Sequence, residues 1–381
     1  MSDGDGRFGG IYAGRRVLVT GATGFKGAWL TAWLDRLGAD VRTFGLPAPT
    51  TPSLWEECRL SRRIPTRTGD VRDLDAVTAA VAWAVPDVVF HLAAQALVLA
   101  SYADPVATFA TNVTGTVHLL EALRRCSSGA AVVVVTTDKV YEPAARAHVE
   151  GDRLGGHDPY SASKACVEVL VDGWRHAFPG PPMATARAGN VIGGGDWSAD
   201  RIVPDLARAV AGGGVLPLRH PDGVRPWQHV LEPLSGYLLL GQRLLAEPEV
   251  AVGGWNFGPD PSTARSVRGL VDELLHRFAA RGILPAVSVV SEARPERGAE
   301  RVALLLDSTR AAEQLDWRPL LSFAETVDLT AAFYSARLLD PGFAADAVVA
   351  AQIAAYERLA AERGAPWASP PARPVTAGAG R

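Results

Sequence analysis

Val17-Leu18-Val19-Thr20 is a short β-branched run that leads directly into Gly21-Ala22-Thr23-Gly24-Phe25-Lys26-Gly27. The spacing from Ala28 to about Leu37 then predicts a helix. Strand, glycine turn and helix in this order constrain the fold more than any other feature of the chain. The glycines permit a tight turn and close approach of backbone to a ligand, and the helix N-terminus offers N–H groups with no partner in the helix. Together they make a pyrophosphate cradle, and a dinucleotide is the ligand such a cradle takes. The expected cradle residues are Gly21, Thr23, Gly24, Phe25, Lys26 and Gly27.

The rest of the first half repeats the alternation. Val41 to Phe44, a short stretch before Asp70, Asp87 to Ala94, Val132 to Val135 and Ala184 to Arg187 read as further strands. Helices are expected over Val106–Arg125 and from Tyr160 to about Phe178. The pattern predicts an α/β fold, a doubly wound parallel sheet of the Rossmann kind. A dinucleotide site usually has an acid at the end of the second strand for the ribose hydroxyls. Residues 41–46 contain none, and Arg42 leaves room for a 2′-phosphate. Asp70 reads equally as an adenine contact or as part of a helix N-cap. Val71 and Leu92 sit beside it on the cofactor edge, and the small Ala93 and Ala94 let a cofactor lie close. His91 reads as a packed strand residue, and Asn112 as a buried amide needing partners.

A parallel sheet places ligands beyond the carboxyl ends of its strands. Thr137, Asp138 and Lys139 follow Val132–Val135 at that edge. Tyr160 and Lys164 are four apart at the start of a predicted helix and share a face. An ammonium beside a phenol favours the phenolate, so the pair can take a proton from an alcohol.

From about residue 190 the pattern loosens into a glycine-rich loop, Gly189–Trp197, and a helix from Arg201 to Ala211. A smaller substrate-binding lobe is expected here. Arg201, Arg219, Arg225 and Arg301 are the cations a diphosphate would need. The expected organisation is a flexible tail at 1–14, a dinucleotide domain at 15–189, a lobe at 190–340 that crosses back to the sheet, and a helix with a disordered tail at 341–381. The formal net charge of −3 gives no case for nucleic acid or an anionic membrane. Three scattered cysteines form no metal or disulfide framework, and the expected compartment is the cytoplasm. No membrane span and no metal are expected.

Several longer motifs carry a family resemblance. They are Thr20–Gly27, Pro49–Leu54, His91–Gln95, Thr137–Lys139, Gly155–Tyr160, Arg187–Trp197 and Arg225–Leu234. On these the chain resembles the extended short-chain dehydrogenase/reductases that modify nucleotide sugars, and within them the CDP-glucose 4,6-dehydratase group. The resemblance implies NAD as cofactor, a nucleotide sugar such as CDP-glucose as substrate, and a homodimer or homotetramer. It implies that Thr137 and Tyr160 hold the sugar C4 hydroxyl, that Tyr160 with Lys164 removes its proton, and that Asp138 and Lys139 carry out the elimination. Which of Asp138 and Lys139 is the base stays open. It also implies Gln95, Ser101 and Asn190 as substrate contacts. The chain departs from the pattern at Leu99, where an arginine is usual, and at Ala299, where a histidine is expected. An epimerase or a dehydratase for another nucleotide is the alternative within the class. A non-catalytic NAD(H)-binding module is the alternative outside it, and such a module needs neither Tyr160 nor Lys164.

Overall fold

The computed structural model describes residues 6–284, 286–292 and 304–368. Seven parallel strands form one sheet. They are β1 (Arg16–Thr20), β2 (Asp40–Gly45), β3 (Thr66–Thr68), β4 (Val88–His91), β5 (Ala131–Val135), β6 (Met183–Arg187) and β7 (Gly253–Asn256). Their order across the sheet is β7-β6-β5-β4-β1-β2-β3, so the order reverses between β1 and β4. A ligand crevice lies outside the carboxyl ends at such a reversal. Val133 and Val135 of β5 pack into one core layer with helix α1 (Phe25–Arg36), and Val132 and Val134 pack into the other. Burial on both faces explains why β5 reads as an unbroken apolar run. On the second face lie helices α2 (Leu74–Ala84), α3 (Gly115–Arg125) and α4 (Pro159–Ala177).

The strands and helices of the first half fall where the pattern predicts them. Helix α1 begins at Phe25 rather than Ala28, because the last two glycines of the turn belong to its cap and first turn. The helix predicted over Val106–Arg125 is interrupted by a π turn at Ala110–Thr114. Asn112 sits in that turn, accepts from the Gln95 N–H at 2.8 Å and donates to Ser163 Oγ at 2.8 Å. The π turn thereby fastens the catalytic-edge helix α4 to the loop after β4.

The second half is interleaved with the sheet. Helix α5 (Leu231–Ala246) is buried along most of its length beneath the sheet, and β7 pairs in parallel with β6. Gly253-Gly254 opens β7 and weakens its β signal, which hides the strand in the sequence. Helix α6 (Phe323–Leu339) is capped by a reciprocal Ser322–Glu325 box. Helix α7 (Ala345–Glu362) docks on α1, where Trp33 donates to the buried Glu357 at 2.9 Å.

Two expectations about the ends need correction. Residues 6–14 are not a loose tail: Phe8 and Tyr12 are fully buried, and Phe8 stacks on Trp367 at 4.8 Å. For the same reason Ala365–Ala368 belongs to the core rather than to a disordered end. Apolar aromatics inside Gly- and Pro-rich stretches supply the burial that composition conceals. The remainder of both predicted tails lies outside the described residues.

Candidate active site

The glycine turn has the shape its sequence requires. Gly21 adopts φ +71°, and a Cβ there would lie 2.6 Å from Ala93 N. A Cβ on Gly27 would lie 2.2 Å from Gly21 O, so the helix can start only where glycine stands. Thr23 Oγ1 donates to Leu46 O at 2.9 Å, tying the turn to the end of β2. The first turn of α1 has no acidic residue to compete for its N–H groups. These features fit the pyrophosphate of a dinucleotide.

Around that cradle the expected neighbours divide. Leu92 and Ala93 hydrogen-bond to Thr20 at the carboxyl edge, as a close cofactor wall requires, and Ala94 follows them. His91 is packed between Thr20 and Thr116, and burial lowers its pKa to about 3, so it stays neutral and structural. Asp70 is not the cap of α2; Asp73 is. Asp70 receives a bidentate grip from Arg72, while Val71 O accepts from His118 at 3.0 Å. Arg42 is held by neighbours within the fold. It donates to Trp83 O at 2.6 Å, at the far end of α2, on the opposite edge of the sheet from the cradle.

The chemistry gathers at the end of β5. Thr137, Asp138 and Lys139 form a single turn there, with Thr137 Oγ1 donating to Asp138 Oδ1 at 3.0 Å. Helix α4 delivers Tyr160 and Lys164 from the other side. Its start is fixed by Pro159 in the first turn and by Asp158, which accepts from Ser161 N at 2.9 Å. The Tyr160 hydroxyl shares a hydrogen bond with Thr137. Lys164 Nζ donates to Val135 O at 2.9 Å. Asp138 is reached closely because Gly189 has no side chain: a Cβ there would lie 2.8 Å from Asp138 Oδ2.

Burial sets the proton affinities. It pushes the Tyr160 phenol up to about 12, against the Thr137 hydrogen bond and the Arg201 charge. It lowers Lys164 to about 8, against the pull of Glu168. It raises Asp138, against Lys139, Thr137, Lys26 and Arg225. Lys139 itself is half-buried.

Not every expected contact points inward. The Gln95 amide is used within its own loop, donating to Leu97 O and Thr108 Oγ1 and accepting from Leu97 N at 2.6 Å. Ser101 is fully buried and accepts from Tyr160 N at 3.2 Å, so it braces the catalytic helix. Asn190 is half-buried, and its carbonyl accepts from Gln228 N. Arg201 and Arg225 do lie in the field of the site, near Tyr160 and Asp138. Arg219 is turned to Asp200 at 2.6 Å. Arg301 and Ala299 lie outside the described residues.

Two side chains at the site, Tyr237 and Glu168, escaped the sequence reading, and a third, Lys26, was expected only in the cradle. Lys26 sends its side chain past the cradle towards Asp138, Lys164 and Arg201, with Nζ 6.0 Å over the Tyr237 ring; burial brings it down to about 7. Tyr237 is fully buried on α5 and faces Tyr160 and Asp138. Glu168 lies one helical turn beyond Lys164. Its position four residues after Lys164 was the one available signal.

The GDP-mannose 4,6 dehydratase family profile matches residues 18–330. The chain is a member of that family of extended short-chain dehydrogenase/reductases. It is 42% identical to the CDP-glucose 4,6-dehydratase of Salmonella typhimurium, over 83% of this chain and 89% of that one. It is 30% identical to the dTDP-glucose 4,6-dehydratase of Streptomyces griseus, over 84% and 93%. Among solved structures it resembles a UDP-glucose 4-epimerase of Thermus thermophilus in complex with NAD, with TM-score 0.69 and 26% identity, covering 84% of this chain and 98% of that one. It shares the fold of an epimerase of Methanothermobacter thermautotrophicus at TM-score 0.73, over 86% and 94%, with 23% identity. A nicotinamide cofactor is a property of this class, and the cradle fits it. Among the described residues no group of three or more acidic, cysteine or histidine side chains could hold a metal ion, and no helix is long and apolar enough to cross a membrane.

Proposed function

We propose that the protein is a CDP-glucose 4,6-dehydratase that yields CDP-4-keto-6-deoxy-D-glucose. The observation that carries this reading is the meeting of Tyr160 and Lys164 with an Asp138-Lys139 pair at one strand end. The 42% identity to a CDP-glucose 4,6-dehydratase supports the nucleotide and the sugar. An NAD held by the Gly21–Gly27 turn and the start of α1 would supply the hydride chemistry, accepting at C4 and returning at C6. The chain's own residues move the protons. Tyr160, linked to Thr137, takes the proton of the C4 hydroxyl, and the Lys164 ammonium beneath it stabilises the phenolate. The ketone acidifies the proton at C5, which Lys139 removes. Asp138, whose buried carboxyl favours its neutral form, protonates the C6 hydroxyl as it leaves as water.

NAD is favoured over NADP because the nearest strand cation, Arg42, is occupied at the far edge of the sheet. The assembly we infer is a homodimer through the outer face of α4 and the helix Pro105–Phe109, where Val106 and Val169 are 79% and 62% exposed. One observation favours a second reading. Leu99, two residues before the Ser101 that braces Tyr160, stands in place of the family's arginine, which favours a different nucleotide on the same glucose. Incubation with CDP-, UDP- and dTDP-glucose, each with NAD or NADP, separates the cases by product mass. A 4-keto product one water lighter than CDP-glucose supports the proposal. Inversion without loss of water, or no turnover on any of the three, refutes it.

A further inference from the structure

Behind the catalytic helix lies a buried ion pair that the proton transfers above do not use. Glu168 is 4% exposed and Arg187 is 5% exposed. The Glu168 carboxylate accepts from Arg187 Nε at 3.0 Å and Nη2 at 2.7 Å. It also accepts from Thr136 Oγ1 and Thr185 Oγ1, each at 2.5 Å. Every lone-pair direction of the carboxylate is thus served by a donor. Arg187 in turn donates to Tyr141 Oη at 2.5 Å, and Tyr141 donates to Asn256 on β7.

The placement of this pair is specific. Glu168 follows Lys164 by one turn of α4 on the same buried face, so its charge lies close behind the ammonium. Its partner Thr136 sits between Val135, whose carbonyl receives Lys164 Nζ, and Thr137, whose hydroxyl meets Tyr160. Side chains alternate along an extended chain, so anchoring Thr136 to the rear aims Thr137 at the site. A purely structural carboxylate–guanidinium pair does not need a position one turn from the catalytic lysine, nor two further hydroxyls.

We propose that Glu168 is a positioning residue for the oxidation step: it keeps Lys164 charged and fixes the end of β5 from which Thr137 reaches the reacting hydroxyl. The inference rests on the dehydratase reading above. Lys164 is lowered by burial, and Glu168 is the charge that opposes the fall. The other titratable groups facing Lys164 are Lys26 from α1, His91 from β4 and Tyr160 on its own helix. None of these changes in the variants below.

The test is the pH profile of kcat/KM for 4-keto product formation. Glu168→Gln keeps the shape and removes the charge, but it leaves Arg187 buried beside a neutral amide. The double variant Glu168→Gln/Arg187→Met removes both charges and avoids that orphan. In both, the basic limb should move down by about one pH unit, so that activity near pH 9 falls roughly fivefold more than activity near pH 7. Glu168→Asp retains the charge and should retain the limb. A folded variant lacking the carboxylate, with its basic limb where the parent's lies, overturns the inference whatever its plateau rate. The double variant decides the matter if the single one does not fold, and melting temperatures report folding independently. Absence of 4-keto product from the parent would instead refute the dehydratase reading.

Discussion

Replacing the catalytic lysine should make the protein more stable while it stops working. Lys164 is 6% exposed, and burial brings its ammonium from 10.5 down to about 8. The gap of roughly two and a half units corresponds to about 3 kcal/mol of disfavoured charge in the folded state. Below pH 8 both folded and unfolded chains hold the proton, so the whole penalty is present. Between about 8 and 10.5 the folded chain gives up the proton while the unfolded chain keeps it, and stability rises with pH. Lys164→Met has similar length and no charge. It removes the penalty and loses the hydrogen bond to Val135 O, which costs about 1 kcal/mol. The net expectation is about 2 kcal/mol of added stability at pH 7, a rise in Tm on the order of 2–4 °C for a chain of this size. Near pH 10.5 the advantage should vanish or reverse. Thermal unfolding of the cofactor-free parent and variant at both pH values measures this. A variant that melts below the parent at pH 7, or an offset that does not change with pH, would refute the reasoning. Turnover should fall at least about a hundredfold, since Thr137 and Arg201 would be left to stabilise the phenolate without the ammonium.

The remaining expectations follow from the same geometry. Tyr160→Phe should fold, bind dinucleotide and lose at least about a hundredfold in turnover; near-parental rates would remove Tyr160 from the oxidation step. Lys139→Met should still oxidise C4, because Tyr160 and Lys164 are untouched, but elimination should stall. Rapid mixing with CDP-glucose should then show absorbance of reduced nicotinamide building up with little 6-deoxy product, whereas parental product formation would leave Asp138 or water as the base. Gly27→Ala places a Cβ 2.2 Å from Gly21 O, so the turn must open. Dinucleotide affinity should drop by at least about tenfold by titration, with unchanged affinity arguing against the cradle.

How far the sequence could be read depended on whether a feature is local. The strand–turn–helix at 16–36 and the apolar run of β5 are local, since periodicity and glycine spacing reflect sterics that act within a few residues. Thr137–Lys139 and Tyr160–Lys164 were legible for the same reason, because a strand end and a helix face place them without reference to the rest of the fold. What was hidden depends on partners far away in the chain. Phe8 looked like tail until Trp367 stacked upon it, and the strand at Gly253–Asn256 drew no reading at all, because only its pairing with β6 reveals it. Gln95 and Ser101 looked like ligand contacts because of their motifs. Their donors and acceptors were already taken by Thr108 and by Tyr160 N, which only the fold reveals.

The same distinction explains the electrostatics of the site. Tyr160, Lys164 and Asp138 each carry a pKa displaced towards the neutral form, and in each case burial is the largest cause. Burial comes from elements remote in sequence: α1 brings Lys26, α5 brings Tyr237 and the loop before Ile202 brings Arg201. A phenol near 12 beside a lysine near 8 is poorly matched to proton abstraction around neutral pH. The groups that oppose burial are therefore the ones that set the working pH: Thr137 and Arg201 at Tyr160, and Glu168 at Lys164. Motif residues supply the reacting atoms, and Thr137 together with residues outside the motif determines how readily those atoms exchange protons.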